Sequence, residues 1–405
     1  MTPEAVIVGA GPVGALSALL LARRGVSVEL IEAHATLTTE SHASTFHPST
    51  LDLLAAEGIE LTNHPDAVRV KSIQWRDNRG QIRAEVDYRL LDGITRHPFR
   101  IHLEQQALLD RLAILLAAEH RISFRPGLTA TNVDPTGPSV TVSSEGGRDH
   151  TLTAGVIIGC DGSRSAVRAA AGIGFPSSEY PTGAIRAHMT EDLAELMPPN
   201  RGEQSLSGLC YFRGKGDGVS TLRMARSTRL IVRTTHHDDD FRRLSEAVAN
   251  ATPWSIDDFS IDRIDNYRLN RGVADCYLAR LGPVLILGDA AHVTSTAGGL
   301  NMNAGLQDAF ALMPVVADWL HGETALESIA EVAALRREYL EHQVIPRSER
   351  RVKGLQELDS AALKEHLDDI DHLAADPDAG RRFLIEASLL DMPLTPAGAQ
   401  LRKAQ

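Results

Sequence analysis

Residues 284–310 read VLILGDAAHVTSTAGGLNMNAGLQDAF, and the other motifs of the chain take their meaning from this one. Four unbroken apolar residues, Val284 to Leu287, predict a short strand buried on both faces, as in a parallel sheet covered by helices. Gly288 lets the backbone approach whatever lies above the carboxyl end of that strand. Asp289 follows as an acceptor-only carboxylate suited to the hydroxyls of a sugar or sugar alcohol. After a polar loop, Gly298 and Gly299 open a segment with helical spacing at Leu306, Ala309, Phe310 and Met313. The amino end of that helix points back at the strand, and amino ends stabilise anions. Together these parts predict a cradle for a cofactor that takes on negative charge.

The amino terminus supplies a second such unit. Ala5 to Val8 is an apolar strand running into Gly9-Ala10-Gly11-Pro12-Val13-Gly14, a GxGxxG that opens a helix rich in Ala and Leu. Its glycines permit the tight turn, the approach of a pyrophosphate and the packing of helix on strand. Val26 to Ile31 forms the next strand and delivers Glu32 to where a ribose hydroxyl is bound. The order of parts predicts dinucleotide binding, and by itself does not distinguish FAD from NAD. Val156 to Gly159 repeats the pattern before Cys160-Asp161-Gly162-Ser163-Arg164.

Composition limits the partners. The chain has 405 residues, 43% apolar and 23% charged, enough for about two to three domains with substantial cores. Its 41 basic and 53 acidic residues leave a formal charge of -12, which argues against nucleic acid and anionic membrane surfaces. Cys160, Cys210 and Cys276 lack CxxC spacing, so neither a disulfide framework nor a metal site is expected. The apolar run Leu16 to Leu21 is too short to span a bilayer, and Val6 already begins a strand, so no signal peptide and a cytoplasmic location are expected.

Taken together, GxGxxG, the Asp161-Gly162 motif and GDAAH with Gly298-Gly299, Asn303, Gly305 and Asp308 resemble the three fingerprints of the single-component, group A FAD-dependent aromatic hydroxylases. These are flavoprotein monooxygenases built like p-hydroxybenzoate hydroxylase. The resemblance covers roughly residues 4–345. It implies an α/β fold with a discontinuous FAD-binding domain built on a parallel sheet, from residues 1–68, 101–175 and 270–345. A β-sheet-rich substrate domain would come from 69–100 and 176–269, and a C-terminal helical segment from 346–405. In that family NADH or NADPH reduces the flavin, O2 adds to it, and a flavin 4a-hydroperoxide transfers OH to an electron-rich aromatic ring. The expected substrate is a small phenolic or hydroxylated aromatic, carboxylated or N-heterocyclic among the options, and the expected assembly is a monomer or homodimer. Another redox reaction on the same fold, or FAD binding without catalysis, stays open as an alternative. Trp254-Ser255-Ile256-Asp257 does not make the two-tryptophan motif of flavin halogenases.

Carried over residue by residue, the FAD contacts are expected at Gly9, Gly11, Gly14, Glu32, His42, Gln105, Asp161, Asp289, Gly299, Asn301 and Met302. His42 stands where the family usually has a phosphate-binding arginine, Thr296 where it has a proline, and Asn301 where it has a glycine. The replacement at 301 is tolerable because Asn accepts positive φ better than most residues. A base that takes the phenol proton is useful, and the candidates are His47 first, then Tyr211, His188, His236 and His237. Arg229 matches the family's flavin-flanking arginine. Arg223, six residues before it, would share its face of a regular strand and anchor an acidic group of the substrate.

Overall fold

In this computed structural model, residues 2–37, 43–144, 146–147, 149–193, 205–214, 217–234, 240–354 and 360–396 are described. The apolar runs become strands of a five-stranded parallel sheet, in the order Val284–Ile286, Val156–Gly159, Ala5–Val8, Val28–Glu32, Ile122–Pro126. Val6 lies opposite Ile157, and Ile158 opposite Leu285, so the carboxyl ends of the three fingerprint strands come out side by side. Every residue of these three strands is buried, which is why they read as unbroken apolar runs rather than alternations. Helices Pro12–Ala22, Gln105–Ala118 and Leu300–Leu320 pack together over the sheet.

The second layer is a seven-stranded sheet ordered Ile261–Tyr267, Gly183–Met189, Thr228–Thr234, Gly218–Arg223, Leu209–Arg213, Ser72–Asp77, Ile82–Asp87. All neighbours are antiparallel except Leu209–Arg213 with Ser72–Asp77. Strand alternation gives the sheet two unlike faces. One carries Ile185, Ala187, Cys210, Phe212, Val219, Leu230 and Val232, closed off by Leu244, Ala247 and Val248 of helix Asp240–Ala251 and by Trp254. The other face carries Tyr211, Arg213, Ser220, Leu222, Arg229, Ile231 and Arg233, and it turns toward the carboxyl ends of the parallel strands.

Beyond Leu320 the periodicity predicts one helix over 326–353. The structure has instead Leu326–Tyr339, a wide π turn over Leu340–Val344, and Ile345–Gly354. Pro346 accounts for the interruption, because it has no N–H for the carbonyl four residues back and its ring crowds that turn. Helices Ser360–Ala375 and Pro377–Ala387 follow. Ile370 and Leu384 pack into a cluster with Ile73, Trp75, Val86 and Tyr88, so the C-terminal helices cover the outer strands of the seven-stranded sheet.

One buried ion pair ties these parts together. The Asp308 carboxylate accepts from Arg336 Nε at 2.7 Å and contacts His292 Nε2 at 2.8 Å, and Arg336 Nη1 donates to the Pro393 carbonyl at 2.9 Å. Asp308, His292 and Arg336 are each fully buried. Burial alone would raise the Asp308 carboxyl, but the adjoining Arg336 guanidinium and the His292 contact outweigh it and hold the carboxyl below its usual range. A carboxyl depressed in the folded state stabilises above its unfolded pKa of about 3.9 and loses that contribution as pH falls through the folded value. Asp308→Asn leaves Arg336 buried without its counter-charge, and the expected loss in chemical denaturation is about 3–5 kcal/mol. Replacing both, as Asp308→Leu with Arg336→Met, should lose less than the single change; a larger loss in the double variant would contradict this reading.

Candidate active site

Between the parallel strand ends and the seven-stranded sheet runs a single cleft of about 1340 Å³. That exceeds the roughly 300–1,000 Å³ of a pocket for one small ligand, and it has room for a dinucleotide with a second molecule beside it. It begins at Gly11, Pro12 and Val13, passes Gly288, Asp289 and Gly298 to Met302, and ends under Tyr211, Arg213 and Arg233.

At the first end the glycines divide their work. A Cβ on Gly14 would lie 1.9 Å from the Gly9 carbonyl oxygen, and one on Gly9, whose φ is +95°, would lie 2.5 Å from the Cys160 carbonyl oxygen, so both positions are closed to side chains. Gly11 has nothing within 4 Å of a Cβ and is the N-cap of helix Pro12–Ala22, so open space lies in front of a helix amino end. Glu32 does not line the cleft. Its carboxylate accepts from Ala10 N at 2.7 Å and His34 N at 3.0 Å, which fixes the glycine loop. Asp161 likewise does not line the cleft, since its oxygens take the Ser165 hydroxyl at 2.5 Å and Val167 N at 3.1 Å. Through these bonds both acids brace loops that face the cleft. His42, His236 and His237 lie outside the described residues.

In the middle of the cleft, Asp289 is exposed and accepts from Asn301 Nδ2 at 2.8 Å, while Asn301 Oδ1 contacts His292 Nδ1 at 3.2 Å. Asn301 sits in the first turn of helix Leu300–Leu320 without positive φ; the left-handed positions are Gly298 at +84° and Gly299 at +67°. The tolerance argument for Asn301 is thus corrected, because its side chain bridges Asp289 to the buried His292–Asp308 pair. Gly299, the N-cap, offers no side chain to the first-turn amides. Asn303 stitches the loop, donating to the Thr45 carbonyl at 2.9 Å and the Gly299 carbonyl at 2.7 Å and accepting from His47 N at 3.0 Å. Met302 and Gln105 both line the cleft.

His47 is fully buried and does not line the cleft; its Nε2 lies 2.9 Å from the Gly298 carbonyl oxygen. That contact requires a donating Nε2–H, and burial, with Arg100 and Arg351 nearby, pushes the imidazole well below its usual pKa. It is a neutral brace under the glycine loop, which corrects its assignment as the base meeting substrate. His188 is held by Asp265 at 3.1 Å and also lies off the cleft.

The substrate end is the inner face of the seven-stranded sheet. Tyr211 lines it and stacks on Trp75, with ring centroids 5.9 Å apart. Arg229 lines it too, buried and paired with Glu104. Arg223 does not. The strands pair Leu222 with Arg229 and Arg223 with Thr228, so Arg223 lies on the opposite face, about half exposed and paired with Asp192 at 2.5 Å. The turn closed by Met224 N to the Ser227 carbonyl breaks the parity on which the Arg223 assignment rested. Arg213, Arg233 and Arg100, none of which the motifs point to, line the cleft instead. Two of them were within reach of the alternation: Arg213 is two residues from Tyr211, and Arg233 is four from Arg229.

The glycine loop open at Gly11, the exposed Asp289 and the uncapped amino end at Gly299 fit a flavin dinucleotide. The family described as FAD binding domain matches residues 2–346. Among curated relatives, para-nitrophenol 4-monooxygenase of Pseudomonas sp. (strain WBC-3) is 26% identical over 316 residues, 75% of this chain and 75% of its own. Pentachlorophenol 4-monooxygenase of Sphingobium chlorophenolicum is 28% identical over 76% of this chain, which spans only 56% of that relative. The 6-hydroxy-3-succinoylpyridine 3-monooxygenase HspB of Pseudomonas putida (strain DSM 28022 / S16) is 26% identical over 88% of this chain and 89% of its own. In fold, the crystal structure of p-nitrophenol 4-monooxygenase PnpA from Pseudomonas putida DLL-E4 superposes with a TM-score of 0.86 at 22% identity, covering 96% of this chain and 98% of that one. With its cleft so built and its family match running over residues 2–346, the chain belongs to the FAD-dependent, single-component aromatic hydroxylases.

Proposed function

We propose that the protein uses NAD(P)H and O2 to hydroxylate a small phenolic or hydroxylated N-heteroaromatic compound on bound FAD. The observation that carries this reading is the continuity of the cleft, which joins a dinucleotide cradle to a compartment walled by Trp75, Tyr211, Leu209, Leu222, Ile231 and Phe383. Bound FAD would supply the activated oxygen. The chain does the rest: the amino end of helix Leu300–Leu320 stabilises negative charge at the loop Gly298–Gly299, and the aromatic and aliphatic wall keeps water from the reacting atoms. Tyr211 is the expected base candidate that lines the compartment. The relatives include enzymes named as monooxygenases of para-nitrophenol, pentachlorophenol and 6-hydroxy-3-succinoylpyridine.

The experiment is a panel of phenols, hydroxybenzoates and hydroxypyridines scored for stimulated NAD(P)H oxidation, with product analysis under isotope-labelled O2. A label in the product ring supports hydroxylation; stimulated oxidation with reduced or halogenated product points to another flavin reaction, and no stimulation by any compound points to a binding protein. Asp289→Ala removes a carboxylate facing the cleft at the sugar-alcohol position. FAD affinity measured by flavin fluorescence is expected to fall by about 1–3 kcal/mol, roughly fivefold to 150-fold. An unchanged affinity would remove Asp289 from the cofactor site.

The buried histidines give a pH dependence. His47 and His102 are both held neutral by burial, with His102 pushed down to about 3. A histidine depressed in the folded state stabilises above its unfolded pKa of about 6.5 and loses that contribution as pH falls below it. Stability in chemical denaturation should therefore decline from neutrality toward pH about 5, and His47→Gln, which keeps a donor for the Gly298 carbonyl, should flatten part of that slope. An identical slope in the variant would contradict the buried, neutral His47.

A further inference from the structure

We propose that Arg213 and Arg233 form a two-guanidinium seat, at the end of the cleft beneath the seven-stranded sheet, for an anionic substituent carried by the aromatic substrate. The inference rests on the hydroxylase reading for the aromatic ring and adds the ring's charge. Arg213 and Arg233 sit on strands separated only by Gly218–Arg223. Arg213 lies opposite Gly218 in the register, and Val219 opposite Val232 brings Arg233 level with the same glycine. No side chain rises between the two arginines at that level.

Among the described residues, neither cation has a carboxylate partner. Arg233 is 7% exposed, and its Nε and Nη1 have no hydrogen-bond partner among the described residues; its Nη2 makes only a 3.4 Å contact with Thr296 Oγ1. Arg213 Nε and Nη2 are buried and equally unpartnered. The carboxylates nearby are committed elsewhere. Asp77, beside Arg213 in the register, accepts from Arg79 N and Gln81 N, each at 2.9 Å. Asp217 is taken by Arg243 and by Asn250 at 2.9 Å, and Asp265 by Arg186 at 2.8 Å. Burial lowers the Arg213 guanidinium to about 10, still charged at neutrality, so deprotonation does not relieve the cost of burying it.

Two buried guanidinium groups that lack acceptors and face a cavity are costly unless an anion arrives to take their donors. A carboxylate matches the planar fork of arginine, with charge-assisted bonds about twice as strong as neutral ones. The seat also gives Thr296 a role. Its hydroxyl faces Arg233 at the border between the glycine loop and the sheet, where a proline would offer no polar atom in its side chain.

The test is equilibrium binding to the FAD-loaded, oxidised protein, read by perturbation of the flavin absorbance. The probes are para-hydroxybenzoate, meta-hydroxybenzoate and salicylate, each against its own uncharged amide. At least one carboxylate is expected to bind on the order of tenfold or more tightly than its amide. Arg213→Gln and Arg233→Gln should each abolish that preference while leaving amide affinity within about twofold, and Arg223→Gln should keep it. Because each Gln variant loses an unpaired buried charge, neither should melt below the wild-type protein without added ligand; a structural role would lower the melting temperature instead. The proposal is overturned if no carboxylate outbinds its amide or if the preference survives in both Gln variants. Neutral phenols that stimulate NAD(P)H oxidation alongside such a result would leave the hydroxylase reading standing.

Discussion

The Asp308 carboxylate, buried between His292 and Arg336, is the interaction on which the geometry of the cleft depends. It lies on the long helix whose amino end faces the cleft, and its two partners belong to the Gly-Asp segment and to the following helix. Through His292 it reaches Asn301 and so Asp289; through Arg336 it reaches the carbonyl of Pro393 near the end of the described chain. A fully buried charge pair of this kind stabilises little by itself, but loss of one member leaves the other stranded. Its effect is to fix register: the helix cannot slide along the strand ends without leaving a charge unpaired. Asp289, though exposed, is thereby aimed by a chain of buried contacts.

Electrostatically the cleft is divided. Along the cofactor stretch the protein offers uncapped amides and one exposed carboxylate, and the acids of the glycine motifs are spent on backbone. Under the seven-stranded sheet it offers cations, some paired, as Arg229 with Glu104 and Arg186 with Asp265, and some with buried donors unpartnered among the described residues. The pairs complete the fold, whereas the open donors of Arg213 and Arg233 are the ones proposed to meet a ligand. His47, neutral beneath the glycine loop, braces that loop through one ring nitrogen.

Much of the fold was legible because its physics is local. Unbroken apolar runs ending in glycine announced the parallel strands, and the tight turn at Gly9 and Gly14 was legible because its crowding arises within the turn itself and from the neighbouring strand. Among the described residues no helix is long and apolar enough to cross a membrane. What failed depended on partners distant in sequence. Arg223 was placed by strand parity, which does not survive the turn after Met224, where the hairpin register sets Leu222 rather than Arg223 beside Arg229. His47 does not present the base expected of it, since its burial under Gly298 comes from a loop about 250 residues away. Arg336 gave no local signal at all, for an arginine in an amphipathic helix reads as a surface residue until its partner is known.

Whether one cleft seats FAD with its redox end beside the arginine-lined sheet is decided by a crystal structure of the protein grown with FAD. Pyrophosphate density is expected in front of Gly11, the sugar-alcohol chain beside Asp289 and the ring system against Gly298 to Met302, open toward Tyr211. Flavin density elsewhere, or a ring system that fills the space under Arg213 and Arg233 and leaves no room for a second molecule, would contradict it.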